Sequence, residues 1–177
     1  MSYTEVLGFK KGEVVALKEY KNSHGSAAMI WTALWDKYVR TPGMAKWDTW
    51  LTGDHSKLWA LAGDNRLSQM EKKVLEATFD NYVVRIEDAK KLASYFEEFE
   101  RRYGHPERVC HLGDMAQDMR EAVDSGEYIA LGWYWTSTTD FPWKTYPECE
   151  TCGQELEESE DYDITAEGGK HVYMVME

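Results

Sequence analysis

Cysteine is scarce in this 177-residue chain: three residues, an odd number. That excludes the disulfide framework on which small secreted domains rely. No apolar run approaches the length needed to cross a bilayer. The opening Met-Ser-Tyr-Thr-Glu-Val-Leu-Gly-Phe lacks the basic lead and the apolar core of a secretory signal. A reducing, cytoplasmic setting without a membrane partner is therefore expected. Bases are also few, 20 Lys and Arg against 32 Asp and Glu, for a net charge of −12. Direct binding to nucleic acid is disfavoured, because phosphates need basic side chains. The chain has no Gly-rich phosphate loop, no internal repeat and no parallel β/α alternation.

What is present is distributed unevenly. Residues 1–144 hold 22 acids and 19 bases, whereas residues 145–177 hold ten acids and only Lys170, a net of −9. The acids of that stretch are Glu148, Glu150, Glu155, Glu157, Glu158, Glu160, Asp161, Asp163, Glu167 and Glu177. An acidic segment attached to a nearly balanced body points to a long-range field used on a partner. Between Gln154 and Asp163 the only large apolar side chains are Leu156 and Tyr162, too little to bury much alone.

The body reads as mixed α and β. Residues 4–9 and 13–20 are rich in Val, Leu and aromatics, and Lys10-Lys11-Gly12 suits a hairpin between them. Ser23 or Ser26 can cap a following helix, with Trp31, Leu34, Trp35 and Tyr38 on one face to about Val39. Residues 44–66 are a Trp-rich connector with two short helical turns, the second capped by Asp54. Ser68 and Glu71 have the spacing of a capping box, ahead of a stripe of Met70, Val74, Leu75 and Phe79. Residues 81–85 read as an extended link. The strongest helix pattern spans 86–103, with Ile86, Ala89, Ala93, Phe96, Phe99 and Tyr103 on one face and Gly104 and Pro106 as stop signals. A helix with Val109, Leu112, Met119 and Val123 inward ends at Ser125-Gly126. The period then becomes two: Leu131, Trp133 and Trp135 share one strand face and Ala130 and Tyr134 the other. Residues 171–176 read as a last strand.

The expected fold is α+β: a small antiparallel sheet, built from the N-terminal hairpin and C-terminal strands, packed with about four to five helices on one side. It forms a single domain overall, with a body over 1–144, an acidic Cys-x-x-Cys loop over 145–170 and a final strand over 171–176. The first and last strands are expected to bring both termini together in the sheet.

Inside the acidic loop stands Pro147-Glu-Cys149-Glu-Thr-Cys152-Gly153. Two thiolates at this spacing can bind one tetrahedral zinc, and the Gly permits the tight turn. These residues resemble the first half of a zinc-ribbon knuckle, without its second Cys pair. His171, Cys110 with His111, or the same pair from a second subunit in a homodimer are the candidates for completing four ligands. The alternative is a plain turn with two reduced thiols and no cofactor.

Other chemistry is thinner. Cys110 and His111 are adjacent and cannot easily face one another, so Cys110 reads as a small apolar residue and His111 as a solvated one. His24, His55 and His105 read as loop hydrogen bonders or, for His24, an anion holder at a helix start. Asp114 with Asp118 and Glu97 with Arg101 are four apart and read as solvated helix faces with ion pairs. Trp31, Trp35, Trp133 and Trp135 read as core. Trp47, Trp50 and Trp143 lie in irregular segments and are the better surface candidates. Phe141-Pro142-Trp143 is a rigid apolar tip beside the acids, a layout in which charge steers and the aromatic locks.

The sequence thus favours a non-enzymatic, acidic protein-binding module. Its binding residues are Phe141, Trp143, Glu155, Glu157, Glu158, Glu160, Asp161 and Asp163. Its partner is a basic protein surface, such as that of a nucleic-acid-handling protein. In size and charge it is similar to small acidic viral inhibitors encoded by bacteriophages, which act as nucleic-acid mimics. The alternatives are an enzyme with a His/acid pocket near His24 or residues 105–114, and an adaptor held by zinc on Cys149, Cys152 and His171.

Overall fold

In the computed structural model the described residues are 3–11, 13–21, 26–41, 54–79, 82–107, 109–137 and 172–177. The hairpin forms as its composition requires. β1 (Tyr3–Lys10) and β2 (Glu13–Lys21) pair antiparallel from Tyr3↔Lys21 to Lys10↔Glu13, with a register shift between Val6 and Leu7. On its other side β1 pairs antiparallel with β4 (Ala130–Ser137).

β3 (Tyr82–Arg85) continues the sheet beyond β4 and β5 (Val172–Tyr173) ends it, in the order β2-β1-β4-β3-β5. The first four strands are antiparallel, and β5 lies parallel to β3. Residues 82–85 are therefore a strand and not a link. The reason is burial on both faces: Val83 and Val84 point to opposite sides, and both are buried.

The first and last strands do not meet, because β4 and β3 separate β1 from β5. β5 is also shorter than residues 171–176. Its edge is supplied by a four-residue strand, and beyond Tyr173, on the opposite face, Met174 is buried in the main core. The Met174 N–H donates to the Val83 carbonyl at 2.7 Å. Lys91 and Gln69 then hold the carbonyls of Met176 and Glu177.

Five α-helices are described. α1 (Ala27–Leu34) runs into a wider π turn (Trp35–Val39), and α2 (His55–Trp59) into a 3-10 turn (Ala60–Gly63). α3 is Gln69–Glu76. α4 (Ala89–Tyr103) is preceded by a 3-10 turn at Ile86–Asp88, so the helical pattern from residue 86 begins with a tighter turn. α5 is Leu112–Ser125. The fold is α+β, a small sheet packed with helices. No helix among the described residues is long and apolar enough to cross a membrane.

Local signals act as read. The Asp54 side chain accepts from the Ser56 N–H at the start of α2. Ser68 and Glu71 form a complete capping box on α3. Ser26 takes the N-cap position of α1 without a side-chain cap bond. α5 ends at Gly126, whose φ of 70° is the left-handed C-cap that glycine adopts without strain. Gly104 ends α4 differently: its φ is negative, but a Cβ there would stand 2.4 Å from the Glu100 carbonyl. Val109 departs from the reading. It precedes α5 and is 64% exposed, while Met115, Ala116 and Ala122 complete the buried face.

The helices pack against the sheet face that carries Val6, Val84, Leu131, Trp133 and Trp135. Phe96 of α4 is fully buried there, its ring 5.4 Å from that of Trp133 and 6.4 Å from that of Trp135. The Trp135 indole N–H donates to the Ala77 carbonyl at 2.7 Å, so its polar atom is not buried alone. Leu7, Phe9, Val83, Ala130 and Tyr173 form a separate cluster on the opposite sheet face. Phe96→Ala is expected to lower stability by about 3–5 kcal/mol, the range for truncating a buried aromatic. Denaturant unfolding measures it, and a loss below about 1 kcal/mol would place the core elsewhere.

Candidate functional site

Most residues singled out for partner or metal binding fall outside the described residues: Phe141, Trp143, Cys149, Cys152, Glu155, Glu157, Glu158, Glu160, Asp161, Asp163 and His171; of the candidate zinc ligands only Cys110 and His111 are described. His24, Trp47 and Trp50 do as well. Among the described residues no three His, Cys, Asp or Glu side chains are grouped to hold a metal ion. Three clusters of chemically active side chains can be described.

The first is the 105–114 segment. Burial pushes the Cys110 thiol up to about 12, which keeps it protonated and poorly nucleophilic at neutral pH. His111 takes the N-cap position of α5. Its Nδ1 lies 3.1 Å from Asp114 Oδ2, and its ring centroid is 5.0 Å from that of Tyr20. The Tyr20 hydroxyl donates to Asp118, and the Gly113 N–H donates to Glu100 at 2.5 Å. His105 is exposed, with Nδ1 accepting from the Glu107 N–H. These groups hold the start of α5 against α4 and β2. The Glu97 carboxylate is engaged not by Arg101 but by Arg120 of α5, at 2.6 and 2.8 Å. The two-pronged fit of guanidinium to carboxylate explains that choice over the neighbour on its own helix.

The second cluster is Glu71, whose side chain is 2% exposed. It accepts from Lys37 Nζ at 2.7 Å, Tyr38 Oη at 2.9 Å, the Ser68 N–H at 2.8 Å, Ser68 Oγ at 2.9 Å, and the Tyr103 hydroxyl. Burial by itself raises this carboxyl, but the donors outweigh it and hold Glu71 at about 2. Lys37 is raised, chiefly by its bond to Glu71. The network ties the π turn after α1 to α3 and the end of α4. Sequence reading found only the capping half, since Lys37, Tyr38 and Tyr103 reach Glu71 through the fold.

The third cluster was not legible at all. Glu5 is 6% exposed on β1, and its Oε2 has no hydrogen-bond partner. Its cross-strand neighbours are Glu19 on β2 and Tyr134 on β4. Burial first, and the Glu19 charge second, raise the Glu5 carboxyl above its ordinary value of 4.5. Two acids directly opposite on a sheet repel, and an unpartnered buried carboxylate adds a desolvation cost.

No family model matches the chain, and no curated protein or solved structure matches it either.

The two buried acids predict opposite pH behaviour. Glu71 is depressed, so its contribution is present above 4.5 and lost as pH falls through about 2. Glu71→Gln should cost on the order of 3 kcal/mol at pH 7, and the difference from the parent should vanish near pH 2. A pH-independent difference would mean that the charge does not matter. Glu5 is raised, so folding favours its protonated form and stability falls as pH rises above 4.5. Thermal melts of Glu5→Gln should therefore show a higher Tm than the parent at pH 7 and equal Tm at pH 3. A lower Tm at pH 7 would show that the carboxylate is stabilising.

Proposed function

We propose that this chain is a non-enzymatic protein-binding module, an inhibitor or modulator that engages a basic surface of a nucleic-acid-handling partner as a nucleic-acid mimic. The observation that carries this reading is the division of charge: −9 over residues 145–177 against −3 over residues 1–144. A field of that sign draws in basic surfaces and speeds encounter. The described body adds exposed acids of its own on α5, namely Asp114, Glu121 and Asp124. A cytoplasmic location belongs to the same proposal.

In this reading Glu155, Glu157, Glu158, Glu160, Asp161 and Asp163 meet the basic partner, and Phe141 and Trp143 anchor it. Capture of partners from a host lysate, read by mass spectrometry, identifies the protein engaged. Binding should weaken steeply with salt, because the Debye length shrinks from about 10 Å at 0.1 M to about 3 Å at 1 M. Replacing Glu155, Glu157, Glu158 and Glu160 by Gln should slow association more than it speeds dissociation. Trp143→Ala should speed dissociation and leave stability nearly unchanged. Affinity that is the same at both salt concentrations would overturn the acidic field as the recognition element.

The Cys149-x-x-Cys152-Gly153 spacing supports a further element of this proposal, a zinc knuckle that rigidifies the acidic loop, with His171 as a third ligand. Elemental analysis of protein purified without chelator should find about one zinc per one or two chains. No zinc, with both thiols freely alkylated in the folded protein, would remove the knuckle.

A further inference from the structure

Glu5 occupies an unusual place in the sheet. It lies between two register irregularities: β1 slips against β2 between Val6 and Leu7, and against β4 between Tyr3 and Glu5. Such irregularities re-aim side chains, and they cluster next to functional sites. On one side Glu5 faces Glu19, which is exposed on the edge strand β2; on the other it faces Tyr134. The same sheet face continues into the apolar cluster of Leu7, Phe9 and Val83. Lys21 stands two residues beyond Glu19, opposite Tyr3.

We propose that the Glu5–Glu19 pair is the seat of one cationic side chain of the protein partner, an arginine. Resting on the reading of this chain as a binder of basic surfaces, the assignment names one group that it takes up. The site has what a guanidinium needs. Two cross-strand carboxyl groups, whose β-carbons lie about 5 Å apart, can accept from the several N–H groups of a planar fork. Tyr134 supplies an aromatic neighbour, and the apolar cluster supplies low-dielectric surroundings. Arginine suits such a place better than lysine because its charge is spread and weakly hydrated. Glu19 gives the approach from solvent, along the edge of the sheet. The arrival of one positive charge removes both the repulsion between the acids and the missing partner of Glu5.

The test needs no identified partner. n-Butylguanidinium serves as the arginine side chain, n-butylurea as its neutral counterpart of similar shape, and Ca²⁺ as a competing cation. The full chain, labelled at the glutamate carboxyl carbons, is titrated with each and followed by NMR. Saturable movement of both the Glu5 and Glu19 resonances by butylguanidinium alone is expected, with a fall in the Glu5 titration midpoint. Glu5→Gln should weaken binding by about tenfold or more, the loss expected when a buried charge partner is removed. That variant is expected to fold at least as well as the parent, and Glu19→Gln gives a second, exposed substitution with the same expected loss.

The Gln variant at Glu155, Glu157, Glu158 and Glu160 should retain the shifts at Glu5. A failure of the acidic-segment reading is thereby separated from a failure of this one. Unmoved Glu5 and Glu19 resonances, equal movement with butylurea, or movement with Ca²⁺ alone would each overturn the assignment.

Discussion

Two tryptophans spaced two apart on β4 fix where the helices of this protein must lie. Trp133 and Trp135 share one sheet face, and both are buried. Rings of that size cannot be covered by strand neighbours alone, so the face requires a helical layer. α4 meets the requirement with Phe96, and the turn after α3 meets the indole of Trp135 with the Ala77 carbonyl. The position of α4 then sets that of α5, whose Met115, Ala116 and Met119 are buried in the same core. The acceptor that Ala77 gives the Trp135 N–H offsets the cost of burying that polar atom, and Ala77 therefore matters beyond its size.

Glu71 is the polar counterpart of that core. A carboxylate with 2% of its side chain exposed is tolerable because donors from Lys37, Tyr38, Ser68 and Tyr103 converge on it. Those donors come from separate elements, so the network fixes helix orientation as well as charge. Glu5 is its opposite: a buried acid whose Oε2 no donor reaches, facing another acid. One protein thus contains a satisfied buried carboxylate that serves the fold and an unsatisfied one that the fold does not explain. Natural sequences keep such unfavourable groups most often where function needs them.

Much of the fold was legible because its signals were local. The hairpin, the Ser68/Glu71 box, the Phe96 stripe and the period-two run through Trp133 and Trp135 each follow from a few neighbouring residues. β3 was missed because four residues carry too little periodicity, and only its long-range pairing with β4 distinguishes a strand from a link. The separation of β1 from β5 was missed for the same reason, since strand order is a tertiary property. Val109 was misplaced by counting a loop residue into a helical pattern. Of the chemistry, the capping half of the Glu71 network was readable from spacing. The Glu5–Glu19 pair was not, because only the strand register brings residues fourteen apart in sequence face to face. The acidic segment was the plainest feature of the sequence and remains the basis of the functional proposal.

That proposal assigns stability to the packed body and recognition to the acidic residues. Denaturant unfolding of the Gln variant at Glu155, Glu157, Glu158 and Glu160, set beside its capture of the host partner, tests this division most directly. The account predicts unfolding free energy within about 0.5 kcal/mol of the parent, as for surface substitutions, together with a marked loss of capture at low salt. A variant that unfolds more easily yet still captures its partner at full strength would contradict it.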